Sequence, residues 1–78
     1  MKCPYCEREP KDIPEYVQQA KLEEMTPTEY VRFDEGTYHV ETDLFCCTDC
    51  YIKIGMPLNT QLIAAFRLYK ANVRLKRR

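Results

Sequence analysis

The last twenty residues carry the most regular hydrophobic pattern in the chain. From about Asn59 onward there is no glycine or proline, and apolar residues recur at helical spacing. One apolar stripe, which we expect to face the core, consists of Leu62, Phe66, Tyr69 and Val73. A second stripe on the opposite side consists of Ala64, Leu68, Ala71 and Leu75. A domain this small cannot easily cover both sides of one helix, so the second stripe indicates an interface with another chain, as in a homodimer. The alternative is that residues 13–33 cover it.

Two shorter helices are predicted in the first half of the chain. Pro14 is well placed to open a helix over Glu15 to Met25, although the apolar periodicity there is weak and favours a surface position. Thr26 and Glu29 form a capping-box pattern around a proline, which predicts a second helix that ends at about Phe33.

The next segment alternates in the manner of strands. Residues 37–40 and 44–46 are rich in β-branched and aromatic side chains and flank a short polar turn, which predicts a β-hairpin. After it, Cys50 to Ile54 can form a short helix that ends at Gly55, a residue suited to a left-handed cap.

The length and the cysteines narrow the class of protein. The hydrophobic core of a chain of 78 residues is too small to provide much stability by itself. We therefore expect additional stabilisation by disulfides, a metal or a partner chain. Five cysteines are an odd number for a disulfide framework, and no apolar run is long enough for an export signal or a membrane span. We therefore expect a cytoplasmic protein, not associated with a membrane, whose cysteines bind a metal.

The cysteines form two close-spaced pairs about forty residues apart. Cys3 and Cys6 make one Cys-x-x-Cys turn, and Cys47 and Cys50 make the other. Two such turns supply the four thiolates of a tetrahedral, structural Zn²⁺ site. Cys46 is an alternative ligand to Cys47 because a three-residue spacing is also sterically reasonable. The two-residue spacing of the first pair favours Cys47.

The order of these elements resembles the treble-clef class of zinc fingers, with the zinc-ribbon class as the rival. The stretch from Cys47 to Lys53 is similar to the second ligand pair of GATA-type fingers, and the Cys46 register is similar to MYND-type fingers. Ribbon knuckles usually have glycine after the second cysteine, where this chain has Glu7 and Tyr51. The resemblance covers about twenty residues and implies an α+β fold: a small zinc-stapled treble-clef-like domain with a β-hairpin.

We expect one domain over residues 1–78. Residues 1–12 and 37–58 would form the zinc-binding core, 13–35 a helical insert and 59–78 a basic C-terminal helix. No repeat, low-complexity segment or linker divides the chain.

Charge is divided unevenly along the chain. Residues 1–50 hold all twelve acidic residues and five basic ones, a net charge of −7, whereas residues 51–78 hold seven basic residues and no acid, a net charge of +7. Such a basic end indicates an anionic partner, unless the two halves neutralise each other. The residues expected to contact nucleic acid are Arg67, Lys70, Arg74, Lys76, Arg77 and Arg78.

Nothing in the sequence indicates an enzyme. A closed four-cysteine shell leaves no position for a catalytic water. His39 is the only histidine, whereas HNH nucleases, which resemble treble clefs, combine a general-base histidine with further histidine or asparagine metal ligands. We therefore expect a non-enzymatic module without a small-molecule substrate. Its predicted role is recognition, either of nucleic acid through the basic helix or of a protein through the second apolar stripe.

Overall fold

The computed structural model describes residues 1–76, and the side chains of residues 1–73. The fold consists of four α-helices, with a 3₁₀ turn over Pro10–Asp12 before the first. The helices are α1 (Pro14–Leu22), α2 (Pro27–Asp34), α3 (Thr48–Lys53) and α4 (Asn59–Lys76).

The predicted β-hairpin, and with it the α+β fold class, is wrong. Helices account for 56% of the residues and strand for 4%, and residues 1–76 contain no sheet. What remains of the hairpin is one antiparallel bridge between His39 and Leu44, in which the His39 amide donates to the Leu44 carbonyl over 2.8 Å.

A threonine side chain explains why pairing stops there. The next rung of a hairpin would exchange backbone hydrogen bonds between residues 37 and 46. Instead the Thr37 hydroxyl donates to the Cys46 carbonyl over 2.8 Å and accepts from the Cys46 amide over 2.9 Å. Because one side chain satisfies both backbone groups of Cys46, residues 44–46 are anchored without a ladder of backbone hydrogen bonds.

The helix caps follow the local sequence signals. Thr26 and Glu29 form the reciprocal capping box predicted at the start of α2. At the end of α3, Gly55 has φ 89° and Met56 has φ 51°, so the predicted left-handed cap spans two residues. The Met56 amide donates to the Tyr51 carbonyl over 2.9 Å and closes this turn.

The core joins α1, α2 and α4 to the segment that precedes α3. Its largest fully buried side chains are Tyr16, Phe45, Phe66, Leu62 and Val31. The Tyr16 ring packs in a tilted orientation against both Tyr30 and Phe45, with ring centroids 5.7 and 5.8 Å apart. The surface position predicted for α1 from its weak periodicity is therefore wrong, because this helix buries Tyr16 and Ala20 almost completely.

The C-terminal helix turns the stripe predicted to face the core toward it, but only in part. Leu62 and Phe66 are fully buried, Tyr69 is half-buried and packs against the core, and Val73 stays partly exposed. Within the part of the chain that the structure describes, no helix is both long enough and apolar enough to cross a membrane.

Candidate metal centre

The first cysteine pair lies on a tight turn near the start of the chain. The Glu7 amide donates to the Cys3 carbonyl over 2.7 Å, and the Cys3 amide donates to the Arg8 carbonyl over 3.0 Å. Glu7 has φ 61°, a left-handed conformation that glycine adopts most easily. These bonds return the chain on itself so that the Cys3 and Cys6 side chains converge.

The second pair lies at the start of α3. Cys47 is the N-cap residue of this helix and Cys50 is its third residue, so one helical turn places both side chains on the same side. The preceding residues, Phe45 and Cys46, are completely buried and hold this helix end against the core. The burial of Phe45 thus fixes the position of the second pair.

The two pairs meet in one cluster of sulfur atoms. The Sγ atoms of Cys3, Cys6, Cys47 and Cys50 all lie within 4.8 Å of one another. The Sγ atoms of Cys6 and Cys47 are 3.8 Å apart. A tetrahedron with Zn–S bonds of about 2.3 Å has edges of about 3.8 Å. The four thiols are therefore spaced to receive one tetrahedral metal ion, and all five cysteines of the chain are free.

Arg8 lies beside this cluster. Its guanidinium donates from Nε to the Cys6 sulfur over 3.4 Å and from an Nη atom to the Cys47 sulfur over 3.7 Å. It also pairs with the Asp49 carboxylate at 3.7 Å. Arg8 thus links both cysteine pairs and brings a positive charge to a site of four negative thiolates.

The surroundings affect the thiols unequally. Burial raises the pKa of Cys6, but hydrogen bonds from the Arg8 side chain and the Arg8 amide more than offset it and bring that pKa to about 6. Burial is the main cause of the raised pKa of Cys3, and of Cys50, whose thiol also bonds to Cys47. The surroundings therefore favour ionisation of the Cys6 thiol over those of Cys3 and Cys50.

Cys46, the alternative ligand, lies outside the cluster. Its side chain is fully buried and its thiol donates to the Cys47 carbonyl over 3.6 Å. Burial is the main cause of the raised pKa of Cys46, which is about 12. The geometry therefore favours the register in which Cys47 faces the metal and Cys46 packs in the core.

His39 also lies outside the cluster. Its Nδ1 is 2.9 Å from the Thr42 hydroxyl, and its ring lies near Phe66 at a centroid distance of 6.5 Å. It packs against the core instead of facing the cysteines.

The residues expected to contact nucleic acid are only partly described. Arg67 is exposed and pairs with Glu41 over 3.1 Å, and Lys70 is exposed on the same helix. The side chains of Arg74 and Lys76 lie outside the described residues, as do Arg77 and Arg78 altogether. The structure therefore shows one of these cations in an ion pair and a second at the surface.

The second apolar stripe of α4 is open where the structure describes it. Ala64 and Ala71 are exposed and Leu68 is 64% exposed, whereas the side chain of Leu75 lies outside the described part. Residues 13–33 do not cover these three side chains. The predicted homodimer through this stripe stays a prediction.

Arg8 is the site residue that sequence reasoning missed. Its position two residues after Cys6 was visible, but its contact with Cys47 depends on how the two turns meet. The absence of glycine at position 7 was not evidence against a tight turn after Cys6, because Glu7 takes the left-handed conformation that a glycine would supply.

Comparison of the chain with protein-family models, curated proteins and solved structures finds no match. The resemblance to treble clefs therefore has no support from a related protein. What agrees with it is limited to the positions of the ligand pairs, one on a turn and one at the start of a helix.

Proposed function

We propose that this chain is a non-enzymatic structural-zinc module that recognises another macromolecule. The observation that carries the zinc assignment is the convergence of four sulfur atoms within 4.8 Å of one another, with Cys6 and Cys47 at 3.8 Å, the edge length of a tetrahedral ZnS₄ site. Four cysteine ligands fill such a site, so it has no open position for a reacting water. Its role would be to fix the fold.

The position of the site explains why the fold needs it. The metal would tie the N-terminal turn to α3, two segments that are more than forty residues apart in sequence. The core of so small a chain provides little surplus stability. Because such a site does not exist in the unfolded chain, the free energy of metal binding also stabilises the fold, by about 10 kcal/mol or more.

Single cysteine substitutions test the assignment. We expect Cys47→Ser to lower the zinc content well below one equivalent and Cys46→Ser to keep one equivalent, measured by native mass spectrometry. Replacing the packed Cys46 thiol costs only ordinary core stability, about 1–2 kcal/mol. The opposite pattern, with zinc lost from Cys46→Ser and retained by Cys47→Ser, would contradict the assignment.

The surface beside the site supports recognition of a protein. Four large apolar side chains are exposed at the end of α3 and in the connection to α4, and we call them the connection patch: Ile52, Ile54, Met56 and Leu58. Their exposed fractions range from 40% to 70%. The patch is held in place, because the Tyr51 hydroxyl donates to the Pro57 carbonyl over 3.2 Å. Exposed apolar patches of this kind are typical of interaction sites.

The charge of the second half supports nucleic acid as the alternative partner. Residues 51–78 carry a net charge of +7, and Lys53 and Lys70 are exposed. The two partners respond differently to salt. Contacts to phosphates weaken steeply as salt concentration rises, whereas an apolar protein contact does not. Titration of a labelled oligonucleotide at two salt concentrations tests this alternative, which is contradicted if no binding occurs at low salt.

A further inference from the structure

A cleft of about 370 Å³ lies between the residues that follow α2, the start of α3 and the start of α4. Its walls include the side chains of Tyr51, Pro57 and Leu62. Among the residues that the structure describes, Glu35 is the only charged residue on these walls. Apolar walls around a single well-placed polar group are typical of ligand pockets, and this volume is within their usual range.

The Glu35 carboxylate is held in place by two donors. The hydroxyl of the buried Tyr16 donates to one carboxylate oxygen over 2.5 Å, and the Thr37 amide donates to the other over 3.1 Å. Burial, followed by the bond to Glu35, raises the pKa of Tyr16, so this hydroxyl remains a donor. A carboxylate can accept about four hydrogen bonds, so both oxygens keep capacity for a ligand.

The negative charge of Glu35 is not paired with a described cation. The ion pairs found among residues 1–73 all involve other carboxylates. A second carboxylate lies close by, because Glu15 accepts over 3.5 Å from the hydroxyl of Thr48, which lines the cleft. The cleft is therefore suited to a positively charged group.

The other hydroxyl groups on the walls are used within the fold. The Thr37 hydroxyl donates to the Cys46 carbonyl over 2.8 Å, and the Tyr51 hydroxyl donates to the Pro57 carbonyl over 3.2 Å. The cleft therefore offers a ligand mainly the accepting oxygens of Glu35 and apolar surface. A lysine or arginine side chain matches both, because it carries a donating cation on an apolar stem.

The cleft is continuous with the connection patch. Pro57 lines the cleft and lies between Met56 and Leu58, two exposed members of that patch. Tyr51 also lines the cleft and precedes Ile52, another member. A protein segment seated on the patch can place a side chain in the cleft and contact both surfaces. This continuity favours a protein segment over a free amine, which would contact the cleft alone.

We propose that the cleft beside Glu35 binds a lysine or arginine side chain of a partner protein whose neighbouring apolar residues pack on the connection patch. The inference rests on the proposed function, since it names the chemistry of the protein that the connection patch recognises. The apolar contacts contribute affinity, and the pairing with Glu35 contributes specificity and register.

Short peptides test this inference in NMR titrations of the zinc-loaded, isotope-labelled full chain. One peptide has lysine at its centre, leucine at each end and serine between them, with both termini blocked. The matched peptide has norleucine in place of lysine, which keeps the apolar stem and removes the charge. We expect the lysine peptide to shift the amide resonances of Gly36, Thr37 and Asn59 and to bind about fivefold more tightly than the norleucine peptide.

A free amine provides the third probe. We expect n-butylammonium chloride to bind about tenfold more weakly than the lysine peptide, because it lacks the flanking leucines that pack on the connection patch. Equal affinity for the two would overturn the inference, since the cleft would then be a site for small amines.

Glu35→Gln removes the charge and keeps the size of the side chain and one accepting oxygen. We expect this variant to bind the lysine and norleucine peptides with equal affinity. Glu24→Gln is the matched control, because Glu24 is exposed and does not line the cleft, and it should keep the preference for lysine. The amide spectrum and zinc content of each variant check that it is folded. The comparison of the two peptides on the wild type needs no variant, so it decides the question by itself if Glu35→Gln does not fold.

The inference is overturned if the wild type binds both peptides equally or neither of them, or if folded Glu35→Gln keeps the preference for lysine. Shifts confined to residues such as Ile52 and Met56 with either peptide would show recognition by the connection patch without the cleft. That result contradicts the present inference but not the proposed function. Zinc content measured on the same samples separates all of these outcomes from failure of the metal site.

Discussion

Glu7 occupies a turn position of left-handed backbone, which the residue type at this position does not predict. Its positive φ completes the turn that brings Cys3 and Cys6 together. Left-handed backbone costs a residue with a side chain about 1–2 kcal/mol relative to glycine. The turn thus carries strain at the position that follows a metal ligand.

Substitution of Glu7 should reveal that strain. We expect Glu7→Gly to stabilise the zinc-loaded protein slightly, by up to about 1 kcal/mol, since the greater freedom of glycine in the unfolded chain offsets part of the relief. Glu7→Val should destabilise it, because β-branched residues tolerate positive φ poorly. Thermal unfolding compares the two. A lower melting temperature for Glu7→Gly than for Glu7→Val would contradict the role of backbone strain.

Arg8 acts at the same scale through charge and hydrogen bonding. We expect Arg8→Gln to weaken zinc binding about 10–100-fold, the range found when partners of metal ligands are removed. Arg8→Lys should fall between, because lysine keeps the charge but cannot donate along both directions of a guanidinium. Competition with a chromogenic chelator measures the affinities. Equal zinc affinity in all three proteins would show that the contacts to Cys6 and Cys47 do not matter.

Among the elements, the segment before α3 departs most from its sequence pattern. Alternation of β-branched and aromatic residues at 37–46 predicted strands, but the Thr37 side chain takes the hydrogen bonds that a ladder would use. This replacement of backbone hydrogen bonds by a side chain depends on how closely the two segments approach. The alternation of residue types along the sequence does not indicate it. The helices could be predicted more readily from the sequence, because caps such as Thr26 and Gly55 are determined by local residues.

More of the candidate metal site than of the fold could be predicted from the sequence, because its signals are local. The spacing within each cysteine pair is a local property, and a tetrahedral ion requires two such pairs. Spacing also favoured Cys47 over Cys46, and the sulfur cluster contains Cys47. What spacing could not provide was the contact of Arg8 with both cysteine pairs, because it depends on how the two turns meet.

Thr37 gives an element-scale prediction. Thr37→Val keeps the shape of the side chain but leaves the amide and carbonyl of buried Cys46 without their partner. Unsatisfied buried groups cost about 1–3 kcal/mol each, so we expect a loss of more than 2 kcal/mol in the free energy of unfolding. Thr37→Ser is the control because it retains the hydroxyl and should lose less. Denaturant unfolding of the zinc-loaded proteins measures both, and equal stabilities would contradict this explanation.

The cap of α2 gives a second prediction at the scale of a single element. Thr26→Ala removes the side chain that accepts from the Glu29 amide, and we expect it to cost about 0.5–2 kcal/mol. Thr28→Ala, inside the first turn of the same helix, should be close to neutral or stabilising because alanine has the higher helix propensity. A Thr28→Ala change as damaging as Thr26→Ala would mean that the cap is not the cause.

On the scale of the whole molecule, the metal would connect parts that share few other constraints. The N-terminal turn and the start of α3 meet around four sulfur atoms. Among the side chains of residues 1–73, about a dozen are buried and form the core, grouped around Tyr16, Phe45 and Phe66. If the ion is removed, the thiols that it held together lose their common partner, and we expect the tertiary structure to be lost as a unit.

Acid should have the same effect as metal removal. Thiolates bind zinc and thiols do not, so protons compete with the ion for all four cysteines. We expect the zinc-loaded protein to lose metal and structure together as the pH falls, with proton release when zinc is added back at neutral pH. Circular dichroism and a zinc-sensitive dye, followed in one titration, check that the two transitions coincide. Loss of zinc well before any loss of structure would contradict the coupling.

Amide NMR spectra of the reduced protein before and after complete removal of zinc test the central claim most directly. The account predicts dispersed resonances with one equivalent of zinc, collapse to a narrow range in fully metal-free protein, and recovery when one equivalent is returned. Cys46→Ser should behave in the same way as the wild type. Retention of dispersed resonances by the reduced, metal-free chain would contradict the claim that a zinc ion bound by Cys3, Cys6, Cys47 and Cys50 holds this fold together.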